Sequence, residues 1–243
     1  MRKYWDDTTF FAQPPAAELK RKAKESLTNA KKKGRKYEPI SVKTKKGSIC
    51  TSWWGQAWCE NLEKYADYSS RLERGRRYIR TGTVVDLRIS GGHVSAKVQG
   101  RRRTPYNIDI RIGRLSEEDC QKIINRCSSK VESMEKLVSG EFPEELKEVF
   151  SSKGGLFPSP KEISFSCSCP DWALMCKHVA AVMYGIGVKF DENPFYFFTL
   201  RGIDVDKFIG VALENRVEKM LENYGCKSSR IIDDCDMTEI FGM

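Results

Sequence analysis

Histidine is almost missing from this chain, with His93 and His178 the only two among 243 residues. Acid–base and nucleophile-activating chemistry therefore has little to draw on. No run of about 18 apolar residues is present to span a bilayer. The N-terminal "MRKYWDDTTF" lacks the apolar stretch of a secretory signal, so the protein is expected in the cytoplasm and away from membranes. Internal repeats and long low-complexity tracts are absent. No G-x-x-x-x-G-K-[ST] loop occurs to cradle phosphates, and no acidic triad stands in a ribonuclease-like context. These absences lead to the expectation of a non-enzymatic protein without a small-molecule substrate.

What is present is charge, unevenly placed. Residues 1–114 carry 27 Lys/Arg against 11 Asp/Glu, net +16, while residues 115–243 carry 15 against 22, net −7. A basic half of this strength suits a polyanionic partner, most simply DNA or RNA, although it also fits plain solubility or an acidic membrane surface. Hydrophobic residues make up 40% and aromatics 11%, enough for a folded core.

The segment "AAELKRKAKESLTNAKKKG" has helical composition from about Pro15 to Lys33, ended by Gly34. Its face is mostly charge, which fits a solvated helix or partly disordered arm as well as a phosphate-contacting arm. In "TSWWGQAWCENLEKY", Trp54, Trp58, Leu62 and Tyr65 share a helical stripe that Ser52 could cap. An aromatic core helix is the plainer reading, and a base-stacking platform the alternative. "SSRLERGRRYIRTGTV" reads as a loop dense in arginine, with Arg71, Arg74, Arg76, Arg77 and Arg80 around Gly75. Guanidinium groups bind phosphate bidentately, so this density points to a polyanion contact, with a merely solvated loop as the alternative.

From Thr83 the period changes to two. "TVVDLRIS", "HVSAKVQG" and "PYNIDIRI" predict a three-stranded antiparallel meander, with a primed turn at Gly91-Gly92 and an exposed connection holding Arg101, Arg102 and Arg103. His93 reads as a turn-edge residue. Ser116 and three acidic residues open a helix whose stripe runs through Ile123, Ile124, Cys127, Val131, Met134 and Leu137, with Gly140 to stop it. "PEELKEVF" predicts a short helix. Near the C-terminus Phe195, Tyr196, Phe197 and Phe198 are core or docking aromatics. "DVDKFIGVALENRVEKMLENY" forms one helical unit or a pair, and the acidic "DDCDMTEIF" is read as a disordered tail or a docking strand.

One stretch concentrates ligand chemistry. "KEISFSCSCPDWALMCKHVAAVMYGIG" begins as a strand, turns at Pro170-Asp171 and becomes an apolar helix. Its spacing C-x-C-x6-C-x-H brings Cys167 and Cys169 from a strand end towards Cys176 and His178 at a helix start. Four such ligands fill a tetrahedral set with no open position, the pattern of one structural Zn2+. A redox dithiol would leave Cys176 and His178 unexplained, and a cysteine nucleophile would lack an orienting acid apart from Asp171. The scattered Cys50, Cys59, Cys120, Cys127, Cys226 and Cys235 read as small buried hydrophobes.

This motif, with Pro170-Asp171, Lys177 and the "VAAVMY" helix behind it, resembles the SWIM-type zinc finger. "TSWWGQAW", "SSRLERGRRYIRTGTVVDLRI" and "VSAKVQGRRRTPYNIDI" extend the likeness to prokaryotic SWIM finger proteins often encoded beside Swi/Snf-type helicases. The resemblance implies a zinc-dependent module for binding DNA or protein, the same four ligands and no catalytic residue. The expected fold is α+β: an N-terminal helix plus antiparallel β-meander, a helical middle, a small strand–loop–helix zinc finger and C-terminal helices. The expected segments are a basic arm (1–48), an aromatic and basic α+β domain (49–150), the finger (151–190) and a helical region (191–243). The expected function is nucleic-acid binding or adaptor work beside a Swi/Snf-type helicase in DNA metabolism. Arg74, Arg76, Arg77, Arg80, Arg101, Arg102 and Arg103 would contact phosphates; the alternative is a protein–protein adaptor without intrinsic nucleic-acid binding.

Overall fold

The structure, a computed structural model, describes residues 14–64, 69–130, 144–152, 154–171, 173 and 175–224. In chain order these form α1 (Ala16–Lys32), α2 (Trp53–Lys64), α3 (Ser69–Arg80), β1 (Val84–Ser90), β2 (His93–Val98), β3 (Tyr106–Ile112) and α4 (Glu117–Lys130). There follow α5 (Lys147–Ser151), β4 (Ile163–Cys167), α6 (Lys177–Glu192), α7 (Tyr196–Arg201) and α8 (Val205–Tyr224). The chain is thus α+β, with eight α-helices and one four-stranded antiparallel sheet among the described residues. The readings at Tyr65, Val131, Met134, Leu137, Gly140, Cys226, Cys235 and the acidic tail lie outside the described residues. No helix among the described residues is long and apolar enough to cross a membrane.

The meander forms as its period predicts, in the order β1-β2-β3, and the finger's strand adds a fourth member beside β3. Ile108, Ile110 and Ile112 stand opposite Cys167, Phe165 and Ile163. All six therefore face one side, and Asn107, Asp109, Ser164 and Ser166 face the other. Asp86, expected on the polar face, is buried instead. Residues 38–40 run along the β1 edge, where Ile40 N donates to Val84 O and Leu87 N to Glu38 O. They cover Asp86, whose carboxylate accepts the Glu38 N–H at 3.0 Å.

The inner face of the sheet lies on α6, and α2 and α3 pack against α6 as well. A helix enclosed by neighbours is apolar all round, which is how "KHVAAVMYGIGVKF" reads, with Val179 to Val188 buried without a break. Trp58 resolves the two readings of the aromatic helix in favour of the core. It is 2% exposed, and its indole N–H donates to Met183 O at 2.9 Å. Its ring meets Phe190 edge-on at 5.2 Å, and Phe190 stacks on Phe197 at 3.6 Å. Ser52 caps α2 by accepting the Gly55 N–H at 3.0 Å. Asp191, from the last turn of α6, accepts the N–H groups of Thr51 (2.6 Å) and Ser52 (3.2 Å) and both hydroxyls. That carboxylate ties the start of α2 to the end of α6.

The arginine-rich segment is a helix rather than a loop. Its charge and central Gly75 suggested irregular backbone, but Leu72, Tyr78 and Ile79 make a buried stripe against α6. Gly75 is a packing residue: a Cβ there would lie 2.6 Å from Ala180 Cβ. Gly75→Ala should therefore lower the denaturant midpoint, although alanine gains about 1 kcal/mol of helix propensity over glycine. A rise in the midpoint would show that α3 does not lie against Ala180.

Candidate metal centre and basic surface

Backbone pairing positions the first two cysteines. Ladder bonds between β3 and β4 carry the chain to Cys167, and Ser168 N then donates to Asn107 O at 3.0 Å while Asn107 N donates to Ser168 Oγ at 3.0 Å. Cys169 follows directly. Asp171 then turns the chain, accepting the Ala173 N–H at 3.3 Å and an ion pair from Arg71 at 2.5 Å. Burial opposes ionisation of Asp171, but hydrogen bonds from Arg71 and Ala173 outweigh it and keep its carboxyl below the ordinary range. The pair fastens the finger loop to α3.

Cys176 is the N-cap of α6, and its sulfur accepts the Val179 N–H at 3.5 Å. A thiolate there faces the positive end of the helix. His178, in the first turn, is 3% exposed; the Tyr106 ring packs on it at 4.4 Å and Tyr78 meets it edge-on at 5.3 Å. A Cβ at Gly100 would fall 3.1 Å from His178 Nε2 and 2.5 Å from the Tyr106 ring, so only glycine fits there.

The ligand atoms of Cys167, Cys169, Cys176 and His178 all lie within 4.8 Å of one another. His178 Nδ1 is 3.8 Å from Cys176 Sγ, close to the ~3.6 Å edge of a tetrahedron with zinc bond lengths of about 2.3 Å to sulfur and 2.0–2.1 Å to nitrogen. Without a cation the four groups would not balance. Hydrogen bonding from Cys167, then from His178 and Val179, holds the Cys176 thiol well below its usual range against the effect of burial. Cys167 is pushed up by the same bond and by burial, and Cys169 chiefly by burial. His178 Nε2 is buried with no hydrogen-bond partner among the described residues. One buried thiol, two partly buried ones and an imidazole converging on one point are costly alone, and a soft, tetrahedral cation satisfies the three sulfurs and His178 Nδ1 together. The donor set fits one structural Zn2+. With every coordination position filled by protein, the ion would supply folding energy and cross-link β4 to α6.

Tyr78, Tyr106, Gly100 and the Arg71–Asp171 pair escaped the sequence reading. Tyr78, Tyr106, Gly100 and Arg71 lie 60 or more residues before the first ligand, Cys167, and nothing local marks them as its neighbours. Cys50, Cys59, Cys120 and Cys127 are buried, as small hydrophobes should be. His93, at the Gly91-Gly92 turn, meets Asp109 across the sheet at 2.5 Å, which accounts for it without a metal.

The structure separates the seven arginines. Arg101, Arg102 and Arg103 are exposed in the β2–β3 connection, with the Arg102 guanidinium 5.1 Å from the centre of the Tyr106 ring. Three on α3 are tied to neighbouring segments: Arg76 to Glu63 at 2.6 Å, Arg77 to Pro14 O at 3.0 Å and Arg80 to Gly47 O at 2.5 Å. Arg74 is half-buried.

Residues 166–185 match the family model of the SWIM zinc finger. The uncharacterized protein Rv2102 of Mycobacterium tuberculosis (strain ATCC 25618 / H37Rv) is 38% identical over 165 residues, 67% of this chain and 59% of that protein. The chain thus spans about three-fifths of the length of this relative. No solved structure matches the chain. The motif, the convergence of its four ligands and the family match agree: this chain carries a SWIM zinc finger whose metal position is Cys167, Cys169, Cys176 and His178.

Proposed function

We propose that this protein is a zinc-stabilised, non-enzymatic nucleic-acid-binding protein that works beside a Swi/Snf-type helicase in DNA metabolism. The separation of charge carries the reading, with net +16 before residue 115 and −7 after it. The exposed Arg101, Arg102 and Arg103 supply phosphate contacts. Arg74, Arg76, Arg77 and Arg80 lend field from a helix whose ends are partly occupied. A finger with no vacant coordination position has no place for a metal-bound water, which favours binding over hydrolysis. The helicase partner rests on the resemblance of the motifs.

Binding to DNA or RNA oligonucleotides should weaken steeply with salt. Four to seven phosphate contacts give a slope of log K against log[salt] of about −3 to −6. Affinity indifferent to salt would reject the reading. An adaptor without intrinsic nucleic-acid binding is favoured by one feature, the exposed Leu213, Val217, Met220 and Leu221 on α8. Recovery of a Swi/Snf-type helicase after nuclease treatment, with no oligonucleotide shift, would select it.

A further inference from the structure

Between the C-terminal half of α1 and the β2–β3 connection lies a cleft of about 700 Å3. Lys33, Arg35, Lys97 and Arg103 line it, and no carboxylate among the described residues does. Its neutral lining includes Asn29, Thr104 and Asn107 and the half-buried ring of Tyr37. The four cations come from three separate stretches of chain, so helical composition alone did not collect them. Among the described residues, no ion pair engages any of the four.

The walls are fixed from below. Leu19, Ala23 and Ala30 seat α1 on the core, and Ser26 Oγ donates to the fully buried Gln99 at 2.5 Å. The Gln99 amide donates in turn to the carbonyls of Gly100 (3.0 Å) and Arg102 (2.6 Å). Lys22 reaches the Arg101 carbonyl at 2.8 Å. One buried side chain therefore sets both banks, and the cations wait in place rather than being gathered by the ligand. Lys97 donates to Asn107 Oδ1 at 2.9 Å. Beyond Lys97 and Asn107 the neighbouring hollow on the outer sheet face carries Asp86 and Asp109, so the cationic path ends there.

We propose that this cleft is the binding groove for single-stranded nucleic acid, with Lys33, Arg35, Lys97 and Arg103 on successive phosphates and a base stacked on Tyr37. The inference rests on the nucleic-acid reading above and locates it. A duplex is a stiff convex cylinder that meets only the rim of such a cleft. A single strand threads it, and unpaired bases offer the faces that an aromatic ring takes without regard to sequence. The groove lies off the α3 arginines, three of which are spent on neighbours.

The test is fluorescence anisotropy of the full-length, zinc-loaded protein with labelled 15-nucleotide poly-dT, poly-rU and a 15-base-pair duplex, across a salt titration. The wild type should bind both single strands at least tenfold more tightly than the duplex. Lys33→Gln with Arg103→Gln should weaken single-strand binding at least tenfold and flatten the salt slope by about 1.4, at about 0.7 per phosphate contact. Tyr37→Ala should weaken it about tenfold with the slope unchanged. Lys45→Gln with Lys46→Gln, exposed cations outside the cleft, carry the same charge change and should act less than threefold. Unchanged melting of each variant keeps the comparison one of binding. If the wild type binds no nucleic acid, the proposed function itself fails. If it binds with a steep salt slope but both double variants act alike, the cleft fails and the function stands. Equal or tighter binding of the duplex overturns the single-strand assignment.

Discussion

Removal of zinc should lower the melting midpoint by tens of degrees, and Cys176→Ser should do the same while abolishing stoichiometric zinc. Apparent zinc-binding free energies in small zinc modules are on the order of 10 kcal/mol, comparable to the whole stability of a typical domain. At about 2–4 °C per kcal/mol for a protein of this size, the upper bound is a fall of roughly 20–40 °C. The effect should spread beyond the finger because of where the ligands sit. Cys167 ends a strand of the shared sheet, and Cys176 and His178 open the helix at the centre of the core. Serine is a good helix N-cap, so Cys176→Ser keeps the cap of α6 and removes the metal ligand alone. Calorimetry with a chromophoric zinc-release assay reads both quantities. A protein that purifies without zinc, or a Cys176→Ser variant that keeps metal and melts normally, would overturn the assignment.

Arg201→Ala should cost about 3–5 kcal/mol, because it removes a buried side chain that makes two charge-assisted hydrogen bonds, each worth about 1.5–3 kcal/mol. Arg201 is 1% exposed, and its guanidinium donates to Gly113 O at 2.5 Å and to Glu162 Oε1 at 2.6 Å. Its own carbonyl accepts the Leu115 N–H at 3.0 Å. One side chain thus pins the exit of β3 and the entry of β4 to α7. The expected fall in midpoint is roughly 6–20 °C. Replacing Arg201 and Glu162 together by methionine should cost less than Arg201→Ala, because methionine refills the space of the buried arginine and the half-buried Glu162 carboxylate is not left without its partner. A double variant as damaged as the single one would show that the pair is not the source.

The same pair sets a pH dependence. Burial opposes ionisation of Glu162, but the Ser159 N–H, Arg201 and the Ser159 hydroxyl outweigh it, so the folded carboxyl titrates below its unfolded value. Its contribution is present above the ordinary glutamate pKa of about 4.3 and is lost as pH falls through the lower, folded value.

Much of the candidate site was legible because its signals are short-range. Twelve residues hold all four ligands, and the change from alternating to helical pattern around them announces a strand, a turn and a helix. The meander was equally plain, since Val94, Ala96 and Val98 or Ile108, Ile110 and Ile112 alternate with polar neighbours without interruption. The reading of residues 69–80 as loop failed for a physical reason. Five arginines mask a narrow apolar stripe, and Gly75, a breaker by local propensity, is required by the close approach of Ala180 from a helix 100 residues away.

Composition, period and spacing determined the metal ligands, the meander, the N-terminal helix and the basic character of the first half, because each depends on residues within a few positions of one another. Only the tertiary structure decided that the finger supplies the fourth strand and the central helix. It alone showed that Tyr78 and Tyr106 enclose the ligand histidine, and which arginines stay exposed. It also assembled residues 33–37 and 97–107 into one cationic cleft. Those outcomes depend on packing between distant segments, where burial of apolar surface and satisfaction of buried polar groups override local preference.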